Sequence, residues 1–286
     1  MKRITGLLAV CTFVLVGLSS VFAQESEMKP PKVLLIQREF VKPGKGGSTH
    51  EKSESAFVQA FAKAKWPTHY LAVDAMSGRP RSLFLVGYDS FEAWEKDVTA
   101  TQKDATLSSA VDHALAADGE LLSDTDQTIA TYREDQSLRA SGDIAHDRLF
   151  EISLYQVKPG HRKQWDELVK LVMGGYEKVP DAHWATYEVN YGQQPSTTYV
   201  IFVALKAARE IDEAFGHDKD FVAAMGEDGM KKLGELEREA VETTQTNLFA
   251  FNPKMSYASP DWVKADPDFW KPKAPEPMKS KKSEKK

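Results

Sequence analysis

Phe40-Val41-Lys42-Pro43-Gly44-Lys45 closes an apolar, alternating run, and 116 residues later Gln156-Val157-Lys158-Pro159-Gly160-His161 closes another. Three further landmarks follow in the same order at nearly the same shift. His69-Tyr70-Leu71-Ala72 is echoed by His183-Trp184-Ala185-Thr186, and Leu83-Phe84-Leu85-Val86 by Tyr199-Val200-Ile201-Phe202. Gln127-Thr128-Ile129-Ala130-Thr131-Tyr132 is matched by the stretch from Gln245 to Phe251. One matched hexapeptide is within reach of chance; four landmarks in register indicate an internal duplication.

Each copy reads as β-α-β-β-α-β. In the first, a strand from Val33 to Val41 ends at the Pro43-Gly44 breaker, and Ser48 with Glu51 has the spacing of a capping box. Ala56, Phe57, Ala60, Phe61 and Ala64 then recur at helical spacing. A hairpin follows, His69 to Ala75 and Leu83 to Tyr88 around Ser77-Gly78-Arg79-Pro80, then a broken or bent helical region from Phe91 to about Leu122 and a strand from Thr128 to Tyr132. In the second copy Trp165, Leu168, Val169, Val172 and Tyr176 form the matching helical stripe. Its hairpin strands are His183 to Tyr191 and Tyr199 to Leu205; helices around Ala208 to Phe215 and Met230 to Val241 precede the strand Asn247 to Phe251.

An antiparallel sheet with both helices on one face leaves its other face bare, and a tandem copy can bury it. This element order and its duplication resemble the dimeric α/β-barrel superfamily, which includes antibiotic-biosynthesis monooxygenase-like, NIPSNAP-like and chlorite-dismutase-like proteins. The resemblance covers roughly residues 33–251 and rests on element order and duplication rather than on a motif. It implies an α+β fold in which two tandem ferredoxin-like units form one intramolecular dimeric α/β barrel, with helices on the outer faces. It also implies a monomer by internal pseudo-dimerisation, higher oligomers remaining open. Members of the superfamily are oxygenases, isomerases, haem-binding enzymes and proteins of unknown role, so fold alone barely narrows activity.

Outside the duplication the chain changes character. Lys2 and Arg3 precede an apolar run from Ile4 to Val21, and Val21-Phe22-Ala23 before Gln24 has the pattern of a cleaved secretory signal. The run is near the lower limit for a membrane anchor, and Val10 is bulky for the position before a lipid-modified Cys11. The expectation is therefore export, periplasmic or secreted, with no transmembrane segment after signal removal. Cys11 is the chain's single cysteine, so its loss excludes disulfides, thiolate metal sites, iron–sulfur clusters and cysteine nucleophiles. The expected organisation is a signal peptide (1–23), an N-terminal linker (24–32), the first repeat (33–135), an inter-repeat linker (136–147), the second repeat (148–252) and a flexible Pro/Lys-rich tail (253–286).

The whole chain has 286 residues, 42% apolar and 28% charged, which rules out a disordered, collagenous or disulfide-stapled protein. Its formal net charge of -5 hides an asymmetry. Residues 271–286 hold seven lysines against two glutamates, +5, whereas residues 24–270 hold 28 basic against 40 acidic residues, -12. An acidic body argues against nucleic acid as the main partner. The basic tail reads as a solvated end or as a tether to an anionic surface.

Strand alternation places Leu34, Ile36, Arg38 and Phe40 on one side of the first strand and Leu35, Gln37, Glu39 and Val41 on the other. The more apolar side is expected to face the helices. Gln37, Glu39, Glu151, Ser153 and Tyr155 would then line the space between the sheets, as cross-sheet hydrogen bonds or as ligand contacts. Arg38, odd on its face, suits either an anionic ligand or the solvent at a strand end. His69 and His183 hold equivalent places, each followed by an aromatic residue, Tyr70 or Trp184. They are the candidate catalytic or ligating residues, although a duplicated structural residue would show the same symmetry. The candidate ligand-binding set is Arg38, Glu39, Tyr70, Glu151, Tyr155 and Trp184.

His161 shares a helical face with Trp165, and His217-Asp218-x-Asp220 reads as a solvated loop before it reads as a cation site. With no H-E-x-x-H or other close histidine pair, no metal site is expected. No nucleophile elbow, P-loop or dinucleotide glycine motif occurs, and Gly44, Gly46 and Gly47 form only a weak anion signal.

Three functional readings result. The first is an exported protein that binds or oxidises a small organic molecule in the barrel cavity, monooxygenase-like and cofactor-independent, lined by Tyr155, Trp184, Tyr187, Tyr191 and Tyr199. The second is a non-enzymatic periplasmic binding or envelope-associated module. The third is a haem-binding, chlorite-dismutase-like protein with His183 or His69 as axial ligand; no cofactor is required by the sequence.

Overall fold

The computed structural model describes residues 29–192 and 197–271; the expected signal and the lysine-rich end of the tail lie outside them. The first copy runs β1 (Val33–Val41), α1 (Ser48–Ala64), β2 (Tyr70–Ala75), β3 (Arg81–Tyr88), α2 (Phe91–Lys103), α3 (Ala105–Gly119) and β4 (Leu122–Tyr132). The second runs β5 (Leu149–Val157), α4 (Arg162–Tyr176), β6 (Ala185–Tyr191), β7 (Thr198–Leu205), α5 (Arg209–Gly216), α6 (Asp218–Ala240) and β8 (Val241–Phe251), followed by α7 (Pro260–Ala265) and α8 (Pro267–Trp270).

Local chemistry sets these boundaries. The broken helical region is two helices because Asp104 leaves helical backbone geometry, ends α2, and caps α3 by accepting from the Thr106 and Leu107 N–H groups. Gly226, at φ 65°, bends α6. The capping box expected at Ser48 and Glu51 does not form. Gly47 takes the N-cap position, and the Glu51 carboxylate instead accepts from Lys254 at 2.8 Å, tying α1 to the segment after β8.

Each unit contributes a four-stranded antiparallel sheet, β4-β1-β3-β2 and β8-β5-β7-β6, and the pairs β4–β6 and β2–β8 join the two into one closed eight-stranded barrel. Closure leaves no strand edge open. The duplication persists in the register: β1 shifts against β4 between Phe40 and Val41, and β5 shifts against β8 between Gln156 and Val157. The two bulges fall at equivalent positions of the repeated motif.

The expected assignment of faces is reversed. Leu34, Ile36, Phe150 and Ile152 point into the barrel and form its core with Phe202 and Phe249. The side carrying Glu39 and Tyr155 lies under the helices, where Trp165, Leu168 and Val169 of α4 pack on Tyr199. The interior is the more apolar face because closure removes it from water on every side, whereas helices that only partly cover a sheet leave room for polar groups.

The tail also departs from expectation. Residues 253–271 fold back on the barrel, with Met255 and Trp270 buried. Trp270 packs on Phe251 and donates its indole N–H to the Ala145 carbonyl at 2.9 Å, closing the barrel end where β1 and β5 begin. Arg148 pairs with Asp266 and lies over the Phe269 ring, 3.9 Å from its centroid, holding this plug in place. The expected inter-repeat linker is likewise packed, with Leu138, Ala145 and Asp147 buried. Among the described residues no helix is long and apolar enough to cross a membrane.

Candidate functional site

Opposite the plug the barrel opens into a cavity of about 260 Å³. Its floor is apolar, with Ile36, Leu83, Ile152, Phe202 and Phe249, and its rim carries Arg38, Arg79 and Arg81. Three strand positions place these cations: Arg38 faces inward from β1, opposite Leu83 of β3, while Arg81 opens β3 opposite Phe40 and Arg79 precedes it in the turn. Arg38 pairs with Asp126 of β4 at 2.5 Å and donates to Thr128. Arg81 donates to the Asn247 side-chain oxygen at 2.7 Å and lies 4.9 Å from the Phe249 ring centroid. Arg79 lies over Phe40, 4.0 Å from its centroid. Burial first, and then repulsion from Arg38 and Arg79, holds Arg81 below the ordinary arginine range. Three guanidiniums over an apolar floor therefore make a place where a negative charge relieves repulsion and an attached apolar group leaves water.

A second polar assembly lies on the other side of β1, between the sheet and the helices. Glu39, His50, Glu54 and Asp118 are 2–3% exposed. One strand residue, two residues a turn apart on α1, and one from the last turn of α3 converge. His50 Nε2 is 3.2 Å from Glu39, 3.6 Å from Asp118 and 3.9 Å from Glu54. Burial alone would lower the His50 pKa, but the Asp118 and Glu39 carboxylates outweigh it and raise it to about 10. Burial, then the charges of Glu39 and Asp118, push Glu54 up to about 9. Protons on His50 and Glu54 thus offset the charge of three buried carboxylates.

The residues singled out in the sequence do not converge. Arg38 is at the barrel mouth and Glu39 is in the buried cluster. Tyr70 packs beneath α1 against Phe61 and Phe84, its buried hydroxyl without a hydrogen-bond partner. Tyr155 packs on Trp165, Glu151 is half-buried on the same helix-facing side of β5, and Trp184 donates to the Gln136 carbonyl. His69 is hydrogen-bonded through Nδ1 to the Tyr257 carbonyl and packs tilted against the Tyr257 ring. Both nitrogens of His183 meet backbone carbonyls, of Asp181 and Ala204, at 2.7 Å. That ring serves as a brace between β7 and the loop before β6, and its nitrogens do not fit an axial-ligand role for haem. Neither histidine lines the barrel cavity. The aromatic set is divided as well: Tyr187 is in the barrel core, Tyr199 stacks on Trp165, and Tyr191 is exposed.

The sequence reading missed Arg79, Arg81, His50, Glu54 and Asp118. Two signals were present: Arg79 and Arg81 flank a hairpin turn one strand from Arg38, and His50 and Glu54 have the i, i+4 spacing of one helix face. Nothing in the spacing connects Asp118 to them.

Two units closing one eight-stranded barrel with helices outside are the dimeric α/β-barrel fold, which this chain has. No family profile and no curated protein sequence matches it. Solved structures of similar fold include an anthrone oxidase-like protein, 13% identical, with 77% of this chain and 92% of that chain covered and a TM-score of 0.49. A protein of Fusobacterium nucleatum provisionally designated a monooxygenase is 11% identical over 78% of this chain and 94% of its own, TM-score 0.47. A chlorite dismutase variant of Candidatus Nitrospira defluvii is 8% identical over 86% of this chain and 99% of its own, TM-score 0.47. At these identities the likeness is one of fold, and no activity is carried across.

Proposed function

We propose that this is an exported binding protein for a small organic anion, whose carboxylate is held at the rim by Arg81, Arg38 and Arg79 with its apolar part inside the barrel. The observation that carries the reading is the set of three guanidiniums at the rim of an apolar cavity, of which Arg38 is paired with Asp126 and Arg79 and Arg81 have no carboxylate partner among the described ion pairs. A cavity of about 260 Å³ is just below the ~300–1,000 Å³ common for ligand sites, so it suits one ring or a short chain. Export rests on the Lys2-Arg3 start, the apolar run and the Val21-Phe22-Ala23 pattern before Gln24.

Titration calorimetry of the chain from Gln24 with benzoate, benzyl alcohol and benzylamine tests the binding reading. Benzoate should bind, benzyl alcohol weakly and benzylamine not at all. Arg81→Gln should weaken benzoate by about ten- to a hundredfold, because a hydrogen bond to a charged group contributes roughly 1.5–3 kcal/mol. Equal affinity for all three probes, or no loss in Arg81→Gln, would refute it. Cell fractionation checks export separately: a product beginning at Gln24 outside the cytoplasm supports it, and full-length protein in the cytoplasm does not.

A further inference from the structure

We propose that Glu39, His50, Glu54 and Asp118 form a binding site for one divalent cation of the first transition row, which clamps α1 and α3 onto β1. The site is separate from the barrel cavity and independent of the anion-binding reading.

Four observations support it. The donor atoms, one from each residue, lie within 4.8 Å of one another. With metal–ligand bonds of about 2.1 Å, tetrahedral ligands sit roughly 3.4 Å apart. The separations of 3.2, 3.6 and 3.9 Å from His50 Nε2 already bracket that value. Second, Glu54 Oε1 and Asp118 Oδ1 are buried and face the imidazole at 3.9 and 3.6 Å, too far for a hydrogen bond of ordinary length, and have no other hydrogen-bond partner.

Third, the surroundings orient the ligands. Ser82 uses its one hydroxyl proton on Asp74, at 2.5 Å, so its oxygen is left to accept from His50 Nδ1 at 3.4 Å. That arrangement keeps a hydrogen on Nδ1 and turns Nε2 toward the three carboxylates, so an arriving ion takes the place of the Nε2 proton while the backing hydrogen bond stays, as it does for a metal-bound histidine. Gln37 donates to the other Glu39 oxygen at 2.6 Å, leaving Oε2 for the centre. Fourth, the donor set selects the ion. An imidazole with three carboxylates suits Zn²⁺, Mn²⁺ or Fe²⁺, whereas Ca²⁺ and Mg²⁺ prefer oxygen alone. Because all four residues are buried, the ion enters by an opening of α1 or α3, and its exchange is slow.

The chain from Gln24, stripped with a chelator and reloaded, supplies the test. Zn²⁺ should bind at one equivalent to this site and raise Tm by several degrees, and Co²⁺ should give visible d–d bands. Glu54→Gln and Asp118→Asn should lose at least tenfold in Zn²⁺ affinity, while stripped Glu54→Gln melts close to the stripped wild type, since the Glu54 carboxyl already carries a proton at neutral pH in the metal-free protein. His50→Gln should abolish the Co²⁺ bands. Zn²⁺ that fails to raise the wild-type Tm, or raises it equally in Glu54→Gln, overturns the proposal. So do Co²⁺ bands that survive His50→Gln, which would place the ion on surface histidines.

Discussion

Asp147 shows how one residue sets a pH dependence. It is buried, one carboxylate oxygen has no hydrogen-bond partner, and burial followed by the nearby Asp143 charge raises its pKa to about 6. A carboxyl whose folded pKa exceeds its unfolded one adds stability fully present below about pH 4 and lost as pH rises through about 6. Two pH units correspond to on the order of 3 kcal/mol. Asp147→Asn should therefore unfold at higher denaturant concentration than wild type at pH 7.5, with the difference shrinking toward pH 4. Urea titrations at both values decide it, and a variant weaker than wild type at pH 7.5 would show that the carboxylate has a charged partner. At this scale the sequence was least informative. Arg38 and Glu39 both stand in the candidate ligand-binding set, but adjacent strand residues point to opposite faces, so one belongs to the barrel mouth and the other to the buried cluster. Arg38 finds its partner Asp126 on β4, 88 residues away, and Glu39 finds His50 on α1, separations that strand periodicity does not encode.

At the scale of elements, periodicity located strands and helices well and their faces poorly. Alternation identified two sides of β1 and β5 correctly, yet amphipathicity cannot say which side is enclosed by a barrel and which by helices. The helical stripe of α4 was readable because Trp165, Leu168 and Val169 recur at helical spacing and are all buried. The α7–α8 plug was not, since Pro and Lys composition masked the apolar Trp262, Val263, Phe269 and Trp270 that pack on the barrel core. Trp270→Ala should lose about 3–5 kcal/mol, as large-to-small core changes do, and increase dye binding at the exposed barrel end. Unchanged stability in a denaturant titration would mean that the plug is dispensable. The α4–α6 contact depends on Gly175, where an added Cβ would come within 2.6 Å of Phe221 and 2.8 Å of Met225. Gly175→Ala should cost roughly 1–3 kcal/mol by pushing the helices apart; a melting temperature equal to wild type would contradict such close packing.

For the whole molecule the duplication was the legible feature, because repeated landmarks are preserved in sequence while side-chain partners are not. It explains why a chain without a cysteine after Ala23 closes into one core: β4–β6 and β2–β8 supply inside one chain the contacts that two chains would otherwise make. Residues 33–135 expressed alone retain a bare apolar sheet face and the unpaired edges of β2 and β4, and should self-associate on size exclusion; a stable monomer with no exposed apolar surface would argue against the duplication. Closure also creates the asymmetry that defines the functional proposal, a barrel stoppered by Trp270 at one end and ringed by arginines at the other. The most direct test is a crystal structure of the chain from Gln24 soaked with 4-bromobenzoate, read by bromine anomalous scattering. A bromine peak is expected inside the barrel among Leu83, Ile152 and Phe249, with the carboxylate on Arg81. A filled site only outside the barrel, or an empty barrel at saturating ligand, would contradict it.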